Sequence, residues 1–110
     1  MKIEDVPFTV TDWTEVTAFE QKGDTGTSYW RVFQDGNVRV RIVEYTANYR
    51  SDHWCSRGHV FLVLEGEFTI ELKDGRKFVL IKGMSFQASD DFDNPHIGYS
   101  ENGAKAFIVD

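Results

Sequence analysis

Cysteine occurs once in this chain and histidine three times. A lone thiol makes no internal disulfide, so Cys55 is a free thiol, a ligand or an intermolecular link. Long apolar runs are also missing. The longest, Val60 to Leu64, is five residues, against the ~20 that span a bilayer. The opening residues, MKIEDVPF, carry acids where a secretory signal needs its apolar stretch, so a cytoplasmic location is expected. Basic residues form no patch: Arg39, Arg41, Arg57, Lys73, Arg76 and Lys77 are interleaved with acids and read as solvated surface. With a formal charge of -6, neither nucleic acid nor an anionic membrane is an expected partner. Helix-capping signals are absent as well, and β-branched and aromatic residues dominate.

What remains is a single globular domain, residues 1–110, with 41% hydrophobic and 15% aromatic residues and no repeat or linker. Turn signals QDGN (34–37), KDGR (73–76) and ENGA (101–104) punctuate it, each supplying the positive φ that tight hairpins need. Between them the segments alternate with period two. Arg39, Arg41, Val43 and Tyr45 oppose Val38, Val40, Ile42 and Glu44, and Phe68, Ile70 and Leu72 oppose Glu67, Thr69 and Glu71. Strands are expected at 7–11, 15–21, 27–34, 37–46, 59–65, 67–73, 76–81, 84–87, 96–100 and 104–109. Residues 89–95 should form an irregular loop. This spacing indicates an all-β sandwich or barrel. Because Val60–Leu64 is apolar throughout, the face carrying Val60, Leu62 and Leu64 needs cover from a second sheet, the N-terminal strands or a partner. An isologous homodimer meets that need.

The scarce donors cluster. DHWCSRGH, residues 52–59, holds two histidines and the cysteine. On extended backbone His53 and Cys55 share a face. His59 opens the next strand in phase with Phe61 and Val63, and His96 follows Pro95 at a strand start. Neighbouring strands of one barrel would let His53, Cys55, His59 and His96 converge on one interior point. Three imidazoles and a thiolate suit a divalent transition metal, zinc foremost on softness, with iron, nickel or manganese also accommodated.

Each residue also has a plainer reading. His53 and Cys55 fit a surface loop, Cys55 a small buried hydrophobe, and His59 a satisfied core histidine. Asp52 reads equally as a carboxylate orienting His53 and as an exposed turn residue. Glu44 is either an inward acid–base group or a solvated edge residue. Phe61, Phe68, Phe86, Phe107, Met84 and Ile108 read as core and pocket wall, Trp30 and Trp54 as packing. Tyr99 is placed to donate to a ligand near His96.

The stretch HWCSRGHVFLVLEG, residues 53–66, resembles the first motif of the cupin superfamily. His53 falls on its first histidine, Cys55 on its second, His59 on its glutamate, and Gly66 on its closing glycine after six intervening residues. Gly83 and His96 resemble the ends of the second motif. The stretch between them is longer than usual, and the motif's proline and inner glycine fall on Ser89 and Asp91. Residue 47, often glycine, is alanine. DHWC also resembles the signature of a small cupin subgroup known by an Asp-His-Cys-Trp motif. The resemblance implies a double-stranded β-helix, or jelly-roll β-barrel, with one mononuclear site in its mouth and a small polar molecule as ligand or substrate. Two functional classes follow: a metal-dependent enzyme, of dioxygenase or isomerase type, and a non-catalytic binding or sensing module whose site is closed by three histidines and Cys55.

Overall fold

The computed structural model of the chain describes residues 2–57, 59–90 and 95–110. Its elements are a 3₁₀ turn at Trp13–Glu15 and nine strands. These are β1 (Phe19–Lys22), β2 (Thr27–Asp35), β3 (Val38–Tyr45), β4 (Tyr49–Arg50), β5 (His59–Leu72), β6 (Lys77–Ile81), β7 (Ser85–Ala88), β8 (His96–Ser100) and β9 (Ala104–Val109). Every pairing is antiparallel. The hydrogen-bonded order is β1-β2-β3-β9-β5-β8-β4, with β6 and β7 also pairing to β5. Among the described residues no helix is long and apolar enough to cross a membrane.

β5 joins the two halves of the roll. Its first part pairs with β7 and β9, its second with β6 and β8. The β9 register slips between Val63 and Glu65. Before the slip His59, Phe61 and Val63 are buried; after it Phe68 and Ile70 are. One extra residue reverses the parity of a two-residue repeat, so both halves keep their apolar side chains inward while the strand bends. Gly66, at φ 77°, makes the corner, with the Gly103 carbonyl packed where a Cβ would stand. The expected strands 59–65 and 67–73 are therefore one bent strand.

The core is built from Val43, Phe61, Val63, Phe68, Ile70, Leu80, Ala106 and Ile108, with Trp30, Tyr45, Tyr49 and Phe86 packed against it. Gly36, Gly75 and Gly103 all have positive φ, as their turn signals require. QDGN and KDGR close hairpins β2–β3 and β5–β6. ENGA instead carries the chain from β8 to β9, which do not pair with each other, and so forms a corner between the two halves.

Other expectations need correction. Residues 7–11 form no strand: Phe8 and Val10 are exposed and find no ladder partner. The strand expected from residue 15 starts at Phe19, because Asp12 accepts from Thr14 N at 3.0 Å and caps the 3₁₀ turn. β4, a two-residue pairing with β8, has no counterpart among the expected strands. Met84 is exposed rather than core, and Glu44 points outward to Arg31. The face of β3 that turns inward is the one bearing Arg39, Arg41, Val43 and Tyr45, so Arg41 is buried rather than solvated. Residues 91–94 of the expected loop lie outside the described residues.

Candidate metal centre

His59 and His96 each stand first in their strands; the His59 end of β5 pairs with β7 in one half of the roll, and His96 in β8 lies in the other half. Their side chains therefore meet across the interior, with Nε2 atoms 3.0 Å apart. Both residues are buried. Cys55 is held beside them by backbone: its N–H donates to the His96 carbonyl at 2.7 Å, and the His96 N–H returns the bond at 2.8 Å. That isolated bridge sets the thiol against the imidazole, so one donor atom from each of Cys55, His59 and His96 lies within 4.8 Å of the others.

Aromatic rings fix the imidazoles. Phe86 meets His59 and His96 edge-on, with centroids at 5.2 and 5.5 Å. Burial, and then the charge of nearby His59, lower the His96 pKa from 6.5 to about 4. His96 is thus neutral at physiological pH, as a coordinating imidazole must be. Among the described residues His59 Nδ1 is buried without a hydrogen-bond partner. Its nearest carboxylate oxygen is Asp110 Oδ2 at 3.8 Å, beyond hydrogen-bonding length.

Asp110 is itself unusual. Its side chain is 1% exposed, receives Arg39 Nε and Nη2 at 2.9 and 2.7 Å, and receives Arg41 Nη2 at 3.2 Å. Burial alone would raise its pKa. His59 and Arg39, then Arg41, outweigh burial and hold the carboxyl far below the usual range. With His59 Nδ1 at 3.8 Å, the bidentate Arg39 contact is the close one. Neither Asp110 nor the arginines were picked out from the sequence as site residues. The available signal was the phase of β3, in which Arg39 and Arg41 alternate in step with Val43 and Tyr45.

Of the four donors expected to converge, the structure brings three together. His53 stands apart: its side chain is 70% exposed and its Nδ1 lies 2.6 Å from Asp52 Oδ1. His53 sits on the rim of the pocket whose interior holds the other three. The hydrogen bond to His53 lowers the Asp52 pKa. Trp54 is partly exposed, with Lys73 Nζ 4.3 Å over its ring, and Tyr99 lies against Arg50 rather than facing the pocket.

The trio fits a transition-metal ion. Two imidazoles bound to one cation at about 2.0–2.1 Å hold their nitrogens roughly 3 Å apart, close to the observed spacing. A thiolate added to two imidazoles makes a borderline-soft set.

No protein-family model and no curated protein matches this sequence. Solved structures do. Fe(II)-HppE, determined with the alternative substrate (S)-1-HPP, superposes with a TM-score of 0.74 at 15% identity over 99% of this chain and 62% of its own. Ectoine synthase from P. lautus gives 0.71 at 16% identity, covering 93% and 76%. The Schizosaccharomyces pombe Cnp3 cupin domain gives 0.69 at 12%, covering 89% and 69%. Likeness at this identity establishes architecture: the chain has the jelly-roll cupin fold. Its Cys-His-His group lies in the mouth of that roll.

Proposed function

We propose that Cys55, His59 and His96 hold one divalent transition-metal ion at the mouth of the roll, and that this ion meets a small molecule entering the pocket. The observation that carries this reading is the approach of three metal-compatible donor atoms to within 4.8 Å, two of them on buried imidazoles. The donor chemistry favours zinc; an Fe(II)-bearing neighbour of the same fold keeps iron as the second choice. A bound ion would supply Lewis acidity to a ligand group in the cavity.

The protein's own residues do the rest. Phe86 and the core hold the imidazoles in place, burial keeps His96 unprotonated, and Asp110 sets a negative charge behind His59. Three protein donors, with His53 turned to the rim, match sites that accept an exogenous ligand better than closed tetrahedral ones. This favours the enzyme class over a sealed binding module. A metal-dependent conversion of a small molecule, of dioxygenase or isomerase type, is the specific form proposed.

Calorimetric titration of chelator-treated protein with zinc tests the site. One ion per chain is expected. His59→Ala and His96→Ala should each weaken it on the order of 100-fold or more, Cys55→Ser should weaken it and shift its preference toward harder metals, and His53→Ala should change little. Equal losses for His53→Ala and His59→Ala would place the ligands elsewhere.

A further inference from the structure

The pocket holding the trio has a second pole. Arg39, Arg41, Arg57 and Asp110 all line it, within a cavity of about 480 Å³. Among the described lining residues, three guanidiniums face one carboxylate, in a chain whose formal charge is -6. Asp110 already accepts both Arg39 nitrogens and one from Arg41, while Arg57 Nε stands 4.0 Å off and half-exposed at the rim. A single side-chain carboxylate is shared among the three guanidiniums.

Of the two guanidiniums that donate to Asp110, Arg41 is the less satisfied. Its side chain is 9% exposed, its Nε–H has no partner, and Nη2 to Asp110 is its one hydrogen bond among the described residues. A guanidinium carries five N–H donors. Leaving the Nε–H unmatched in a desolvated position is costly unless an acceptor arrives. The Trp30 ring covers one face of Arg41, with Cζ 4.2 Å from its centroid, so recognition falls to the guanidinium edge. That edge matches a planar carboxylate, which accepts two parallel N–H bonds. Tyr45, Phe61 and Phe68 form an aromatic wall in the same cavity, suited to a flat apolar body.

The geometry points to a small aromatic or unsaturated carboxylic acid as the pocket's ligand class, its carboxylate taken by the edge of Arg41 with help from Arg57 and its body lying against the aromatic wall toward the Cys55–His59–His96 group. Asp110 couples the two poles: one of its oxygens lies 3.2 Å from Arg41 Nη2 and 3.8 Å from His59 Nδ1. This inference gives the substrate class for the metal-centre reading and rests on that reading for what the ion does. The arginine pole itself needs no ion.

The test is a proton–nitrogen NMR titration of the chelator-treated full chain at fixed ionic strength, following the buried Nε–H of Arg41. The probes are benzoate and cinnamate, their neutral amides, and inorganic phosphate. Both acids should move the Arg41 signal saturably, the amides should not, and Arg57→Gln should weaken acid binding by roughly threefold. The Arg57 variant keeps the test valid should Arg41→Lys, used to assign the signal, not fold. Zinc is added in a second arm, where tighter acid binding is expected. Absence of zinc binding there would defeat the metal centre alone, because the chelated arm still reports on the arginines. Equal effects of acids and amides, no effect of either, or a response to phosphate only would overturn the carboxylate site. So would unchanged acid affinity in Arg57→Gln.

Discussion

Around Asp110 two arginines donate at 2.7–3.2 Å, and a third, with the Nδ1 of His59, waits at about 4 Å. Removing that charge leaves buried cations facing one another. Asp110→Asn should cost about 3 kcal/mol at pH 7, measured by urea unfolding. The folded carboxyl is held far below its unfolded value, so its stabilisation is complete above the unfolded pKa of about 4 and fades as acid is added below it. The gap between Asp110→Asn and the parent chain should therefore narrow under pH 4; a constant gap would contradict the ion cluster. His96 acts in a different window. Its pKa falls from 6.5 to about 4 on folding, so between those values the unfolded chain binds a proton that the folded chain refuses. Stability of the metal-free protein should drop on the order of 2–3 kcal/mol from pH 7 to pH 4, and His96→Gln should flatten that slope. An equally steep profile in the variant would move the titration to another group. At this scale the sequence was partly legible. The rarity of cysteine and histidine picked out Cys55, His59 and His96, whereas His53 satisfied the same spacing and yet pairs with its neighbour Asp52, which spacing alone does not reveal. Arg39, Arg41 and Asp110 were hidden because arginine is most often solvated, and because Asp110 meets Arg39 and Arg41 only through tertiary pairing of β3 with β9.

At the scale of elements, two glycines hold the roll in shape. Gly66 turns β5 at positive φ against the Gly103 carbonyl, and Gly98 lies in β8 with the Phe68 ring where its own Cβ would be. Gly98→Ala should push that ring into the pocket, costing about 1–3 kcal/mol by thermal or urea unfolding. The same change should weaken ligand binding, because Phe68 also forms the aromatic wall. An unchanged midpoint would mean the ring moves away freely. Period-two alternation located β2, β3, β8 and β9 within a residue or so. It failed where a local device took over: the slip between Val63 and Glu65 fused two expected strands, and the Asp12 cap replaced the start of another. At 7–11 a run of β-forming residues has no neighbour to pair with, and propensity without a partner makes no strand.

Taken as a whole molecule, the all-β class and jelly-roll topology expected from the turn signals and motif resemblance are those of the structure. Val60 remains partly exposed, and β6 presents Phe78, Val79 and Ile81 to the outside. Self-association through such surface is the homodimer expectation carried forward; sedimentation at micromolar concentration should show a species above 12.7 kDa, and a clean monomer would end it. Metal should also tie the two halves of the roll together, because the His59 end of β5 and His96 in β8 lie in different halves while Cys55 is bridged to His96. At free zinc 100-fold above its dissociation constant, stability should rise by about 2.7 kcal/mol. The most direct measurement is X-ray absorption at the zinc edge of the zinc-loaded protein. One sulfur at about 2.3 Å and two imidazole nitrogens at about 2.0 Å are expected, with the sulfur lost in Cys55→Ser. A first shell without sulfur, or one unaltered by His59→Ala, would contradict the account.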